Sequence, residues 1–267
     1  MSLSRSAETD SRYGFRRRLF NAKLVRAALV RAALVRGGLA VLAVWLLLAG
    51  PPAAAAPAPA TLVVLGDSLS AGYGLPREAA FTSRLEAALT ARGYDVRVPD
   101  TGVSGETTAG GLSRLDWILA DRPTLVLVAL GGNDGLRGID PAATRANLDA
   151  ILTKLAERGV PAVLAGMLAP RNLGRPYAEA FDALFPELAR RHAVPFYPFF
   201  LEGVAMRPEL NLEDGMHPNA EGVAVMVAGI LPTVTAALER AGVVPEGGGG
   251  PEGGPAPAGA AEGRTAP

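Results

Sequence analysis

The sequence predicts an α/β protein: a mostly parallel sheet of about five strands with helices on both sides. Three observations carry this. Runs such as "TLVVL" (61–65) and "TLVLVAL" (124–130) are aliphatic without polar alternation, as strands covered on both faces must be. Segments with helical apolar spacing separate them, the pattern of strand–helix–strand units. Small residues follow each strand directly, at the carboxyl ends where such folds collect their reactive groups.

Taken in order, Thr61–Leu65 is the first buried strand. Glu78–Arg92 places Phe81, Leu85, Ala88 and Leu89 on one helical face and stops at Gly93, a residue suited to a helix C-terminus. Asp95–Val98 is a second, short strand. Thr107–Leu119 is a helix closed by "DRP", and Thr124–Leu130 is the clearest buried strand. Pro141–Arg158 is a helix with proline in its first turn and Gly159 after its end. The strand "PAVLAGM" follows from Pro161, then a helix over Tyr177–Arg191, a short strand over Pro195–Tyr197 and a long apolar helix over Ala220–Ala241.

These elements define a globular body over residues 60–244. Residues 1–56 read as a signal peptide. An arginine-rich start with the repeat "LVRAALVRAALVRGG" (24–38) makes a long basic n-region, "GGLAVLAVWLLLAG" (37–50) is apolar, and "PPAAAAPAPA" supplies small residues for cleavage near Ala56. A retained anchor is the alternative. Leu39–Ala49 falls short of the roughly 20 residues a membrane span needs, and Pro51, Pro52, Pro57 and Pro59 break any helical continuation. The expected destination is therefore the periplasm or the exterior. Residues 245–267 are Gly, Pro and Ala with almost nothing to bury, the composition of a disordered tail.

Composition narrows the chemistry. The 267 residues carry 26 basic and 26 acidic side chains, so there is no basic field for nucleic acid. Cysteine is absent, which excludes disulfides, thiolate metal sites and a cysteine nucleophile. The two histidines lie too far apart in sequence for a helical metal motif, no phosphate-cradling G-x-x-x-x-G-K-[ST] follows a strand, and neither a metal nor a cofactor is expected. The expected partner is a small acyl ester or thioester, the chain acts as a monomer, and membrane contact is confined to the signal peptide or a lipid substrate.

Four loops at strand ends carry candidate groups: Gly66-Asp67-Ser68, Val103-Ser104-Gly105, Gly131-Gly132-Asn133-Asp134 and Asp214-Gly215-Met216-His217. Each alone is a turn signal. Together they supply all the parts of serine acyl transfer: a nucleophile, a base, an orienter for the base and donors for an oxyanion. Ser68 can attack, His217 can take its proton, and Asp214, three residues earlier, can hold the other ring nitrogen. The backbone N–H groups of Ser68 and Gly105, with the Asn133 amide, can converge on one oxygen.

The blocks "GDSLS", "SGETT", "GGND" and "DGMHPN", in that order, resemble the four blocks of the SGNH (GDSL) hydrolases. The stretches "LGDSLSAGYGL", "LVLVALGGNDGLRG" and "ELARRHAVPFYPFFLEGV" are similar to the periplasmic thioesterase I / lysophospholipase L1 / arylesterase group, over about Leu62 to Leu238. The resemblance implies a flavodoxin-like three-layer α/β/α sandwich and hydrolysis of carboxylic esters and thioesters through an acyl-serine. It places the family's Ser, Gly, Asn and His on Ser68, Gly105, Asn133 and His217. Glu106 departs mildly from the group, where aspartate often follows the glycine.

An α/β-hydrolase elbow needs G-x-S-x-G, but position 70 is serine. An exported lipid- or glycan-binding module would have no need of Ser68, Asp214 and His217 together. A polysaccharide deacetylase of the same fold would want a tryptophan platform, and the body has only Trp117. "NDGLRG" with "RNLGRPYAEAF" suggests an open apolar groove instead. His192 reads as a helix-terminal cation or surface residue; Asp67 and Asp134 read as braces for their turns.

Overall fold

The computed structural model describes residues 58–246, together with Arg26 and Arg31. The rest of the expected signal peptide (1–56) and, from residue 247 on, the expected tail (245–267) lie outside the described residues. Five strands form one sheet: β1 (Ala60–Gly66), β2 (Val96–Arg97), β3 (Leu125–Ala129), β4 (Ala162–Ala165) and β5 (Phe196–Tyr197). Their order is β2-β1-β3-β4-β5, and every pair is parallel. The helices are α1 (Ser68–Ala71), α2 (Phe81–Thr90), α3 (Thr108–Ala120), α4 (Gly132–Leu136), α5 (Pro141–Glu157), α6 (Arg175–His192) and α7 (Ala220–Arg240).

Parallel neighbours need a crossover, and crossovers in such sheets are right-handed. The chain therefore places α2 and α7 against each other, and packs α3 against α5 and α5 against α6, giving the three-layer α/β/α sandwich. Strand order reverses between β1 and β3: after β1 the chain steps outward to β2, then returns to the other side of β1. Ligands in open parallel sheets settle in the crevice at such a switch point, beyond the carboxyl ends. The register Gly66↔Ala129 brings the loop of Ser68 beside the loop of Asn133.

Residues of β3 are all buried, which explains its unbroken aliphatic sequence. Aromatic residues fill the layers beside it. Phe81 of α2 meets Phe200 edge-on at 4.9 Å between ring centres, and Phe181 and Phe185 of α6 meet at 5.5 Å, the geometry that brings a positive ring edge to a negative face. Helix α7 is long and apolar enough to cross a membrane, but Val223, Met226, Ile230, Val234 and Leu238 recur at three- and four-residue spacing and are buried. It is a core helix.

Element edges differ from the sequence reading at several points. The edge strands β2 and β5 pair over two residues each, shorter than Asp95–Val98 and Pro195–Tyr197, because ladder pairing ends before the apolar run does. The first helix splits into a 3₁₀ turn at Arg77–Ala79 and α2, with Ala80 extended between them. At the start of the expected tail, the Glu246 N–H donates to the Gly93 carbonyl at 2.7 Å.

Candidate active site

Ser68 opens α1 directly after β1. Asp67 caps that helix by accepting from the Leu69 N–H at 3.0 Å, and the Ser70 hydroxyl donates to the Asp67 carbonyl at 3.0 Å. The turn is thus held by its own side chains, and Ser70 occupies the place where an elbow motif would carry glycine.

His217 arrives from the loop before α7. The Leu212 N–H donates to the His217 carbonyl at 2.7 Å, and the Asn219 N–H to the Leu210 carbonyl at 2.9 Å, so residues 210–219 close on themselves. Gly215 has φ +66°, a left-handed conformation that a side chain resists; it folds Asp214 back onto the imidazole. Asp214 Oδ1 accepts from the Met216 and His217 N–H groups, both at 2.9 Å, and Oδ2 lies 2.7 Å from His217 Nδ1. These backbone donors, then the imidazole, hold the Asp214 carboxyl down at about 2, because each favours the charged form. A carboxylate at Nδ1 keeps the ring proton there, and Nε2 faces the Ser68 hydroxyl at 3.0 Å. A continuous hydrogen-bonded chain runs Asp214–His217–Ser68.

Gly105 and Asn133 line the same cavity as Ser68 and His217. Arg137 Nη2 donates to the Gly105 carbonyl at 2.8 Å, which ties the Gly105 loop to α4. Asn133 Nδ2 donates to Asp67 Oδ2 at 3.0 Å, leaving its second N–H for another acceptor. Asp67 is buried, and that burial pushes its carboxyl up to about 6 against the opposing pull of its hydrogen bonds. The arrangement can activate the Ser68 hydroxyl as a nucleophile, with Gly105 and Asn133 in the same cavity.

The remaining sequence candidates fall into supporting places. Asp134 is buried and accepts from the Thr108 N–H and hydroxyl, at 2.9 and 2.6 Å, and from the Thr144 hydroxyl; it braces α3 against α4. His192 ends α6 with Nε2 2.7 Å from Asp149 and, being mostly covered, is not a surface residue. Glu106 points away from the cavity into a two-pronged pair with Arg114, which also reaches the Gly66 carbonyl.

The cavity encloses about 740 Å³, within the usual range for small-molecule sites. Its walls are mostly apolar, with Leu136, Met167, Leu168, Phe199, Leu201 and Met206 prominent. An apolar groove was expected from "NDGLRG" and "RNLGRPYAEAF", and Asn133 and Leu136 of the first stretch line it. Of "RNLGRPYAEAF" only Arg171 lines it, while Phe181 is packed in the core. Sequence reading also missed Tyr73, whose ring lies 4.4 Å from that of His217, and Arg137; the only available signal was their position inside the longer stretches "LGDSLSAGYGL" and "LVLVALGGNDGLRG".

A three-layer sandwich with this chain of groups at its switch point defines an ester hydrolase. The chain belongs to the GDSL-like lipase/acylhydrolase family, whose family model matches residues 64–225. It is 43% identical to an arylesterase of Vibrio mimicus over 63% of this chain and 84% of that one. To the esterase TesA of Pseudomonas aeruginosa it is 39% identical, over 67% and 89% of the two chains. The thioesterase 1/protease 1/lysophospholipase L1 of Escherichia coli is 41% identical over 60% and 76%. Among solved structures, TesA superposes with a TM-score of 0.64 over 67% of this chain and 99% of its own. AlinE4, an SGNH-hydrolase family esterase, superposes at 0.57 with 44% identity over 67% and 97%.

Proposed function

We propose that the protein hydrolyses carboxylic esters and thioesters through an acyl-serine formed on Ser68, acting as an exported monomer. The observation that carries this is the hydrogen-bonded chain from Asp214 through His217 to Ser68, at 2.7 and 3.0 Å. His217 Nε2 takes the Ser68 proton as Oγ attacks the acyl carbon, and Asp214 steadies the imidazolium that forms. The carbonyl oxygen gains charge and is held by the Ser68 and Gly105 N–H groups and the free N–H of Asn133. The imidazolium then returns its proton to the departing alcohol or thiol. Water repeats the sequence on the acyl-enzyme, with His217 again the base.

The apolar cavity supports acyl chains rather than sugars as the group held beside Ser68. The names of the relatives point to aryl esters, acyl thioesters and lysophospholipids as substrate classes. A fluorophosphonate probe and a panel of p-nitrophenyl esters of rising chain length, with an acyl thioester and a lysophospholipid alongside, test the assignment. Labelling and turnover are expected in the parent and absent in Ser68→Ala, a loss on the order of 10³-fold or more. Near-full turnover by Ser68→Ala would overturn it.

A further inference from the structure

His217 is held at both nitrogens, by Asp214 at 2.7 Å and Ser68 at 3.0 Å. One ring face is covered by Tyr73, at 4.4 Å between centres and 34° between planes. Tyr73 stands in the turn that leaves α1, and its backbone N–H donates to the Ser68 carbonyl at 3.1 Å. The glycines on either side, Gly72 and Gly74, have φ of +71° and +74°. A Cβ on Gly72 would lie 2.5 Å from that of Ala80, and one on Gly74 2.8 Å from a Leu212 methyl group. The turn is therefore shaped so that a large ring, 52% exposed to solvent, is presented to the imidazole rather than to the core.

We propose that Tyr73 is a positioning residue for His217, whose π face holds the ring in line with Ser68 and stabilises the imidazolium formed during attack. This rests on the assignment of His217 as the base. The charge on the imidazole exists only after the Ser68 proton has moved, so attraction to the negative face of the phenol ring strengthens on the way to the transition state. Such an interaction raises turnover without tightening ground-state binding. The titratable groups around the imidazole are Asp214 at Nδ1, the Ser68 hydroxyl at Nε2 and the Asp67 carboxyl, which acts through its field. Tyr73 adds an aromatic face to this set.

The experiment compares Tyr73→Leu, Tyr73→Phe and the parent on an acetyl ester, with fluorophosphonate labelling of Ser68 and thermal unfolding as controls. Tyr73→Leu should lower kcat about three- to fivefold with KM nearly constant. It should also move the acid limb of the pH profile to lower pH by about half a unit, since the charged imidazole loses its partner. Tyr73→Phe, which keeps the π face and lacks the hydroxyl, should restore both parameters toward the parent. A rise in KM alone, an unmoved acid limb, or equal damage from Phe and Leu would overturn the proposal. Failure of the underlying assignment is separate: it would show as labelling or turnover that survives Ser68→Ala and His217→Ala.

Discussion

Asp67 and Asn133, 66 positions apart, are joined by a hydrogen bond of 3.0 Å from the Asn133 amide to Asp67 Oδ2. The residue beside the nucleophile thereby orients the side chain proposed to meet the oxyanion. One amide N–H is spent on the carboxylate, and the other is aimed by that contact.

The burial of Asp67 sets a pH dependence of stability. Its carboxyl is raised from 3.8 to about 6, so the folded chain holds this proton more tightly than the unfolded chain. The stabilisation is present below about pH 4 and is lost as pH rises to 6, where the folded state must keep a buried charge. A shift of that size corresponds to about 3 kcal/mol. Denaturation curves at pH 4 and pH 7 should show this fall against the other titrations of the molecule, and Asp67→Asn should remove that component. An unchanged pH slope in Asp67→Asn would refute it.

Asn133→Ala tests the oxyanion donor without touching the groups that move protons. Turnover should drop by about 10² to 10³, with KM nearly constant and the fold intact by circular dichroism. A variant that raises KM alone would make Asn133 a substrate-binding or structural residue.

Asp214 is held at about 2 by two backbone N–H groups and the imidazole. A depressed carboxyl contributes stability above its unfolded value, and that contribution is lost only as pH falls towards 2. Asp214 therefore stays ionised through the working range, and the acid limb of activity should belong to another group. Asp214→Asn should lower kcat by about 10⁴. His192→Ala should leave kcat/KM unchanged, whereas His217→Ala should match Ser68→Ala; the opposite pattern would reassign the base.

Glu106 is a stability residue in a catalytic-looking block. Its carboxylate is nearly covered and takes two donors from Arg114. Removing one partner of a buried pair leaves the other charge without compensation, at a cost of about 3 kcal/mol. Glu106→Ala should lower the urea midpoint accordingly. The folded fraction should keep its kcat on short esters, and a kcat loss with unchanged stability would move Glu106 into the site.

The elements were legible because their signals are local. A strand buried on both faces must be aliphatic throughout, and β1 and β3 carry that run over Leu62–Leu65 and Leu125–Ala129. Helix stops at Gly93 and Gly159 and the cap at Asp67 follow from backbone chemistry within one turn. The short edge strands were overdrawn, since pairing length depends on the partner strand. His192 looked exposed from its charged neighbours, but Asp149, 43 positions away, covers it.

By itself, the sequence determined the α/β class, the parallel sheet and the four blocks that carry Ser68, Gly105, Asn133 and the Asp214–His217 pair, because side-chain periodicity and turn chemistry are written in neighbouring residues. Tertiary structure alone decided the contact of Asp67 with Asn133, the ring of Tyr73 over His217, the hold of Arg137 on Gly105 and the cavity wall from Met167–Pro170 and Phe199–Met206. Those relationships depend on sheet register and crossover hand, which bring the ends of β1, β3 and β4 to one crevice. The residues that meet there lie tens to more than a hundred positions apart, and no local pattern encodes which of their atoms will touch.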